Sequence, residues 1–391
     1  MRRFEAAVQE LGEQSPTGAS LKRMFAYWEN GERAVSVPVY RQAFVAIYGE
    51  SAESLGFQTA LTDTPQQHDA THDLEAVRRD LDSVLSNAAS SEVVLDDWEQ
   101  LVERYGRATR DRPAPLLLND LSDDIGQLQA ALADCRSAAG RRRLTRVVAR
   151  MSGLMLLTLV KLDDRAAFRR WARTARIASA EAGDSSTHSW MLAQEAYGHF
   201  YSNDLSEAVI VAERAQLVSS TPGGVGAPLA AALEARAYAA IGERPATAAA
   251  LGRAEELVSH LSGDALVPSA FGYNEAQLRF HAGSAYTRLG DLPAAFAAQE
   301  AALALCPPGD YTDRALTQLD RAACLAADGD STAAAQEIAG TLLGLDGQQR
   351  RGIIDGRARE VVGGMSDRQR QLPIVRELRD LVSPTREDRL L

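Results

Sequence analysis

The chain has 391 residues, of which 46% are hydrophobic and 24% charged, and its formal net charge is −11 at pH 7. This composition is normal for a folded protein, and the negative charge excludes non-specific binding of polyanions, so any contact with nucleic acid has to come from a local patch. No apolar run is long enough to cross a bilayer, no secretion signal is visible, and three scattered cysteines suit a reducing compartment. We therefore expect a cytoplasmic protein that does not contact a membrane.

The first 57 residues predict a compact helical domain with helices over 4–11, 20–28 and 38–48. In each of these stretches the apolar residues recur at helical spacing. The second helix begins at Ser20, a suitable N-cap, and stops before Asn30-Gly31, where both residues tolerate the left-handed conformation that ends helices.

A linker and an intermediate segment are predicted next. Residues 58–72 are polar and contain a proline, which is typical of a linker. The intermediate segment, 73–140, carries amphipathic helices expected at 74–85, 94–110 and 116–138. Since no stretch shows the sustained alternation of a β-strand, the predicted fold class is all-α.

A short pattern repeats in the second half of the chain. A turn dipeptide is followed by an Ala-rich amphipathic stretch, with successive spacings of 40, 39, 48 and 39 residues. The turn dipeptides are Asp163-Asp164, Asn203-Asp204, Gly242-Glu243, Gly290-Asp291 and Gly329-Asp330. Repetition at this length predicts stacked helical hairpins, an α-solenoid, over 141–349. The longer spacing predicts an inserted loop within His260–Tyr273, and residues 350–391 predict capping helices and a tail.

One hairpin shows the repeat most clearly. It places small residues and one aromatic residue on two helices around the turn at Gly290, namely Gly283, Tyr286, Ala295 and Ala302. Small residues at a crossing let two helices approach closely. This spacing resembles the tetratricopeptide repeat, and periods near 39 make the units longer and TPR-like.

The N-terminal domain also resembles a known family. Its two helices and turn are followed by Trp28-Glu29-Asn30-Gly31, and it ends at Leu55-Gly56-Phe57. With Lys22 and Arg23, these residues resemble the Cro/repressor-like (XRE-type) helix-turn-helix regulators, and more narrowly the bacterial regulators in which this domain precedes a TPR-like region. The segment Trp98–Gly106 is similar to the one that those regulators carry between the two parts, so the resemblance covers nearly the whole chain.

The resemblance implies an interface with double-stranded DNA. In that family the second helix of the motif lies in the major groove, while nearby basic residues contact phosphates. The base-contacting candidates are Ser20, Lys22, Arg23 and Tyr27, and the phosphate-contacting candidates are Arg33 and Arg41. The family's domain opens with a further helix before Phe4, so we expect this domain to lack its first helix, either because residues precede Met1 or because the domain is truncated.

The concave face of the array is the second candidate site. In TPR arrays the first helix of each hairpin lines this groove, which suits the capture of a peptide, a metabolite or a protein ligand. Counting back from each turn places these candidates there: Gln194, Tyr197, Tyr201, Arg236, Gln277, His281 and Arg288. The alternative for each residue is plain packing between hairpins or solvation.

Two other clusters have spacings that are compatible with a binding site. The basic run 141–150 suits a nucleic-acid patch or, because of its helical spacing, a solvated face opening a helix, offset by upstream acids at Asp120, Asp123 and Asp124. His68 and His72 have metal-ligand spacing but lie in the linker. No nucleophile motif or phosphate-binding loop is present, so we expect no catalytic residues, no metal, no cofactor and no enzymatic activity.

Together with these patterns, the resemblance implies a DNA-binding transcriptional regulator whose TPR-like region mediates dimerisation and senses a peptide, small ligand or partner. Residues 1–57 carry six basic and seven acidic side chains, so one copy makes few phosphate contacts and a homodimer is expected to double them. The alternative is a TPR-type interaction scaffold with a vestigial helix-turn-helix domain that does not bind DNA.

Overall fold

A computed structural model describes residues 2–11, 19–29, 35, 37–50, 55, 92–219 and 223–382. Over these residues every regular element is a helix, which confirms the all-α prediction. The chain divides into two compact units, residues 1–84 and 85–391. The predicted helix at 74–85 and the histidines at 68 and 72 lie outside the described residues.

The first unit contains three described helices, α1 (Arg2–Glu10), α2 (Ala19–Glu29) and α3 (Pro38–Tyr48). They pack around Phe4, whose ring centroid lies 5.2 Å from that of Phe25, 5.4 Å from Tyr40 and 5.0 Å from Phe44. Such aromatic pairs bury large areas and add directional contacts. This small domain is therefore held together by an aromatic core.

The second unit contains fifteen described α-helices and one short 3₁₀ turn, Gly263–Leu266. The helices are α4 (Glu92–Ala108), α5 (Ala114–Asp134), α6 (Ala138–Lys161), α7 (Arg165–Glu181), α8 (Ser185–Tyr201), α9 (Leu205–Val218), α10 (Gly226–Ile241), α11 (Arg244–Ser259), α12 (Glu275–Leu289), α13 (Leu292–Leu305), α14 (Tyr311–Ala327), α15 (Ser331–Leu343), α16 (Ile353–Gly364), α17 (Asp367–Arg370) and α18 (Pro373–Val382). From α6 to α15 they pack as five consecutive hairpins, and the first helix of each hairpin also packs on the first helix of the next. The arrangement is solenoid-like, as the repeat predicted.

Each predicted turn contains a residue with left-handed backbone. The φ angles are 57° at Asp163, 61° at Asn203, 93° at Gly242, 69° at Gly290 and 97° at Gly329. A left-handed residue ends the first helix of a hairpin. An acidic residue then precedes the second helix, where its side chain can accept a hydrogen bond from a free backbone N–H, as at three of the five turns. The dipeptides therefore mark the hairpins because they supply both the left-handed residue that ends the first helix and the acidic residue that precedes the second.

Close crossings between the hairpins depend on glycine. A Cβ added at Gly198 would lie 2.0 Å from the ring of Phe168, and one added at Gly153 would lie 2.2 Å from the ring of Trp190. Both rings are almost completely buried. The array thus uses glycine to make room for an aromatic side chain from the neighbouring helix.

The insertion at 260–273 is a loop, as predicted, but it packs inside the array instead of lying on its surface. The indole N–H of Trp190 donates to the Ala270 carbonyl at 2.6 Å, and the Ala270 N–H donates to the Gly106 carbonyl at 2.8 Å. The Phe271 ring lies 4.7 Å from that of Trp190. The loop therefore joins the middle hairpins to the end of α4.

The segment after α4 also contacts distant hairpins. Arg110 donates from one Nη atom to carboxylate oxygens of Asp310 and Asp313, both at 2.8 Å, and from the other to the Ser269 carbonyl at 3.0 Å. Lys161 Nζ, at the end of α6, donates to the Thr109 carbonyl at 2.5 Å. The segment after α4 thus lies inside the array instead of standing apart from it.

The basic run 141–150 packs on the intermediate segment. Arg143 pairs with Glu92, Asp96 and Glu99 of α4 at 2.5–2.8 Å. These partners differ from the upstream acids expected: Asp120 pairs with Arg112, and Asp124 accepts from the Tyr105 hydroxyl. The difference arises because α4 lies alongside α6, a long-range pairing that local charge spacing does not reveal.

The last helices return to the first hairpin. Helix α16 packs on α14 and also contacts α6. At this junction a Cβ on Gly352 would lie 2.0 Å from the Lys161 carbonyl oxygen, and Gly352 has φ of 80°. The array therefore closes on itself through α16. No helix in the described parts of the chain is both long enough and apolar enough to cross a membrane.

Candidate functional site

The proposed DNA-binding residues lie in the first unit, around α2. Leu21, Met24, Phe25 and Trp28 pack into the aromatic core at helical spacing. Lys22 and Ala26, one helical turn apart, are exposed. This arrangement leaves one face of α2 free to meet a ligand within its own unit.

The other DNA candidates are described only in part. Arg41 is partly buried, and its Nε donates to the Val35 carbonyl at 2.5 Å, so one edge of its guanidinium binds the domain's own backbone. The candidates whose side chains lie outside the described residues are Ser20, Arg23, Tyr27 and Arg33.

The seven groove candidates are brought together inside the second unit, but they do not line an open groove. The insertion and the segment after α4 occupy the inside of the array, so Gln194, Tyr197, Arg236 and His281 are each at least 94% buried. Two of the cavities beside them are together lined by all seven candidates. We call the smaller, of about 50 Å³, the inner cavity and the larger, of about 300 Å³, the arginine cavity.

The candidates divide between the two cavities. Gln194, Tyr197, Gln277 and His281 line the inner cavity. Tyr201, Arg236 and Arg288 line the arginine cavity. Counting back from the turns therefore located a real cluster, although the predicted open surface is filled.

Arg236 is the central residue of this cluster. Its side chain is buried, with only 2% of its surface exposed. One Nη donates to the Tyr201 hydroxyl at 3.0 Å, and the other lies 3.4 Å from Nδ1 of His281. Its guanidinium carbon lies 4.2 Å from the centroid of the Phe200 ring. Among the described residues no carboxylate pairs with it, and its Nε has no hydrogen-bond partner.

His281 accepts from Arg236 only as a neutral imidazole. Burial lowers the pKa of His281 well below its ordinary value, and the nearby charges of Arg236 and Arg110 act in the same direction. A neutral ring with its proton on Nε2 leaves Nδ1 free to accept. The histidine therefore supports Arg236 without neutralising its charge.

Arg288 lies beside Arg236 and is also poorly paired. Its guanidinium carbon lies 4.9 Å from the centroid of the same Phe200 ring. Its one ion pair in the described residues is a 3.5 Å contact with Glu360, a residue whose side chain is half exposed, and its Nε has no partner. Burial lowers the pKa of Arg288, and so does the neighbouring charge of Arg357.

The remaining charged residues of the arginine cavity are paired with one another. Arg357 of α16 contacts Asp320 at 2.7 Å and Glu360 at 2.8 Å. At the rim Arg165 contacts Asp163 at 2.9 Å. Sequence reasoning missed the residues from α14 and α16. Helix α14 lies next to α12 through the stacking of successive hairpins, and α16 reaches the cavity because it packs on α14. The ten arginines of residues 350–391 were the one available signal.

A second buried charge cluster lies beside the inner cavity. Burial and the neighbouring Asp310 raise the pKa of Asp313 to about 6, although Arg110 and Lys161 act in the opposite direction. Burial lowers the pKa of Lys161. These groups belong to the junction between the segment after α4 and helix α14. In the described parts of the chain, no group of three or more His, Cys, Asp or Glu side chains is arranged to hold a metal ion.

Comparison with known proteins adds no family. No protein-family model matches the chain, and no curated protein matches it.

Proposed function

We propose that the protein is a cytoplasmic DNA-binding transcriptional regulator whose helical array is a ligand receptor. The observation that carries the proposal is the two-sided α2. One side packs four apolar residues into the aromatic core, while the other presents Lys22 to solvent. A helix packed in this way against the other two described helices of its unit is suited to enter the major groove. The motif around Lys22 and Trp28 supports the same role through its resemblance to XRE-type regulators.

The receptor role is supported by the cavity next to Arg236. Ligand sites are concave, largely apolar and furnished with a few polar groups that fix orientation. The arginine cavity combines Phe200, Leu316 and Ile353 with several guanidinium groups. A ligand that binds two states of the array with different affinity would change DNA affinity through the linker.

A homodimer completes the proposal. Two copies double the number of phosphate contacts, and two-fold dimers match two-fold operators. The outer helices carry large apolar side chains that are exposed in the single chain, among them Ile177 and Ile210, each 57% exposed, and Leu217, 86% exposed. These side chains are candidates for the dimer contact.

An electrophoretic mobility shift tests the DNA-binding role. The probe is the region upstream of the protein's own gene, titrated with the full chain at several salt concentrations. We expect a shift that weakens steeply with salt, because phosphate contacts release counterions. Lys22→Ala with Arg23→Ala is expected to abolish it.

The single variant Lys22→Ala has a matched control, Arg3→Ala. Arg3 is exposed on α1, and each substitution removes one positive charge from the same unit. Lys22→Ala should weaken binding by about 1–3 kcal/mol if the side chain contacts a base, whereas Arg3→Ala should have little effect. Equal effects, or no shift at low salt, would favour the second candidate, an interaction scaffold with a vestigial domain. The backbone contact of Arg41 and the balanced charge of residues 1–57 are what favour that candidate.

A further inference from the structure

The charges around the arginine cavity do not balance. Four arginines and three carboxylates line it. Each carboxylate is already paired, Asp163 with Arg165, Asp320 with Arg357, and Glu360 chiefly with Arg357. Within the described residues this leaves the buried Arg236 without a counterion. A buried charge without a partner is unfavourable, so a fold that retains one has either a structural or a ligand-binding reason for it.

The two poorly paired arginines are close together. Both guanidinium groups lie against the Phe200 ring, at 4.2 Å and 4.9 Å from its centroid. Their Cζ atoms are therefore at most about 9 Å apart, which is the sum of those two distances. Each has a buried Nε with no partner. A guanidinium edge is a planar donor fork that matches the oxygens of a carboxylate or a phosphate.

We propose that the arginine cavity binds a small ligand through an oxyanion group, a carboxylate or a phosphate, held between Arg236 and Arg288. The inference names the ligand class of the proposed receptor and to that extent depends on the proposed function. The oxyanion supplies the missing counterion for Arg236. The Phe200 ring and the aliphatic side chains of Leu316 and Ile353 contact the rest of the ligand.

The volume limits the size of the ligand. The cavity's volume of about 300 Å³ is roughly what ten water molecules occupy in the liquid. It lies at the lower end of the range for ligand pockets. It accommodates an organic acid, a phosphate ester or the terminal residue of a peptide. An extended peptide would have to displace the loop 260–273 and the segment after α4.

Thermal denaturation of the full chain tests this proposal with inorganic phosphate and with succinate as probes. Sodium chloride at matched ionic strength is the reference. Phosphate also stabilises proteins generally, because it is excluded from their surfaces, so the specific effect is the part that saturates and depends on Arg236. A saturable rise in melting temperature with one probe identifies the chemistry of the group, and a rise with both indicates that any oxyanion fits.

Arg236→Met separates a ligand-binding role from a structural one. Removing a buried charge that lacks a counterion should leave the melting temperature of the ligand-free protein unchanged or higher, and it should abolish the saturable rise. Arg288→Met should weaken binding roughly tenfold to a hundredfold, the worth of one charge-assisted hydrogen bond. The matched control is Arg321→Met, because Arg321 also stacks on an aromatic ring, 5.6 Å from Phe296, but does not line the cavity. It should retain the full rise.

Three results would overturn the proposal: no rise beyond sodium chloride with either probe, a rise that survives in Arg236→Met, or an equal loss in Arg321→Met. If Arg236→Met lowers the melting temperature and also retains the rise of the wild type, Arg236 is a structural residue. These measurements contain no DNA. Loss of anion binding together with a normal mobility shift would refute the ligand class and leave the DNA-binding regulator intact, whereas the reverse result would refute only DNA binding.

Discussion

Arg110→Met should destabilise the second unit more than any neighbouring charge substitution. The guanidinium of Arg110 joins the segment after α4 to Asp310 and Asp313 at the start of α14, 200 and 203 residues away in sequence. The side chains are 15%, 3% and 20% exposed. Methionine has a similar length and no charge, so it leaves the two carboxylates mostly buried without their partner.

The expected loss is about 3–5 kcal/mol at pH 7.5, because breaking a buried ion pair leaves an uncompensated charge. The loss should be smaller at pH 5. The pKa of Asp313 is raised from its ordinary value of 3.8 to about 6, so the folded protein holds this proton more tightly than the unfolded chain, and stability falls as pH rises through that window. Arg110 lowers this pKa, so its removal extends the window upward.

Urea denaturation of the wild type and the variant at both pH values measures this difference. The loss at pH 7.5 should exceed that at pH 5 by at least about 1 kcal/mol, since one pKa unit corresponds to about 1.4 kcal/mol. Arg112→Met is the control, because Arg112 lies two residues away and pairs with Asp120, with side chains 43% and 34% exposed. That pair is worth about 0–1 kcal/mol. Equal losses in the two variants, or a loss independent of pH, would refute this account of the junction.

Two glycine comparisons test the packing of the array by the same measurement. Gly198→Ala should lower the free energy of unfolding by about 1–3 kcal/mol, because the added methyl group overpacks against a buried phenylalanine ring. Gly252→Ala, whose added methyl group would have nothing within 4 Å, should raise it by about 0.5–1 kcal/mol. Similar values for the two variants would contradict the close crossing. Gly352→Ala should cost about 1–3 kcal/mol more than Gly329→Ala. Both positions have positive φ, but only at Gly352 would the methyl group contact the Lys161 carbonyl, so equal costs would contradict this close approach.

The sequence was sufficient to predict the hairpins because their determinants are local. A left-handed residue followed by an acid lies at every predicted turn from Asp163 to Gly329, and the structure confirms each one. Counting back from those turns then selected residues that share two cavities. Position within a repeat therefore carries much of the information about which side chains face the inside of the array.

What the sequence did not predict depends on contacts between distant segments. Arg110 and Asp310 are 200 residues apart, and no local pattern relates them. The same holds for Arg357, which reaches the cavity because α16 packs on α14, where Arg357 pairs with Asp320. An inserted loop can lie outside or inside an array, and the burial of Ala270 and Tyr273 becomes apparent only when the neighbouring helices are in place.

The contact between α16 and α6 has a mechanical consequence. An open solenoid responds to a bound molecule by changing its pitch like a spring, with the motion spread over every repeat. A closed array cannot lengthen in this way unless the contacts that close it separate. Those contacts include the approach of Gly352 to the Lys161 carbonyl and the pairing of Arg110 with Asp310 and Asp313. Spin labels on either side of this closure would then report a discrete jump in distance instead of a gradual extension.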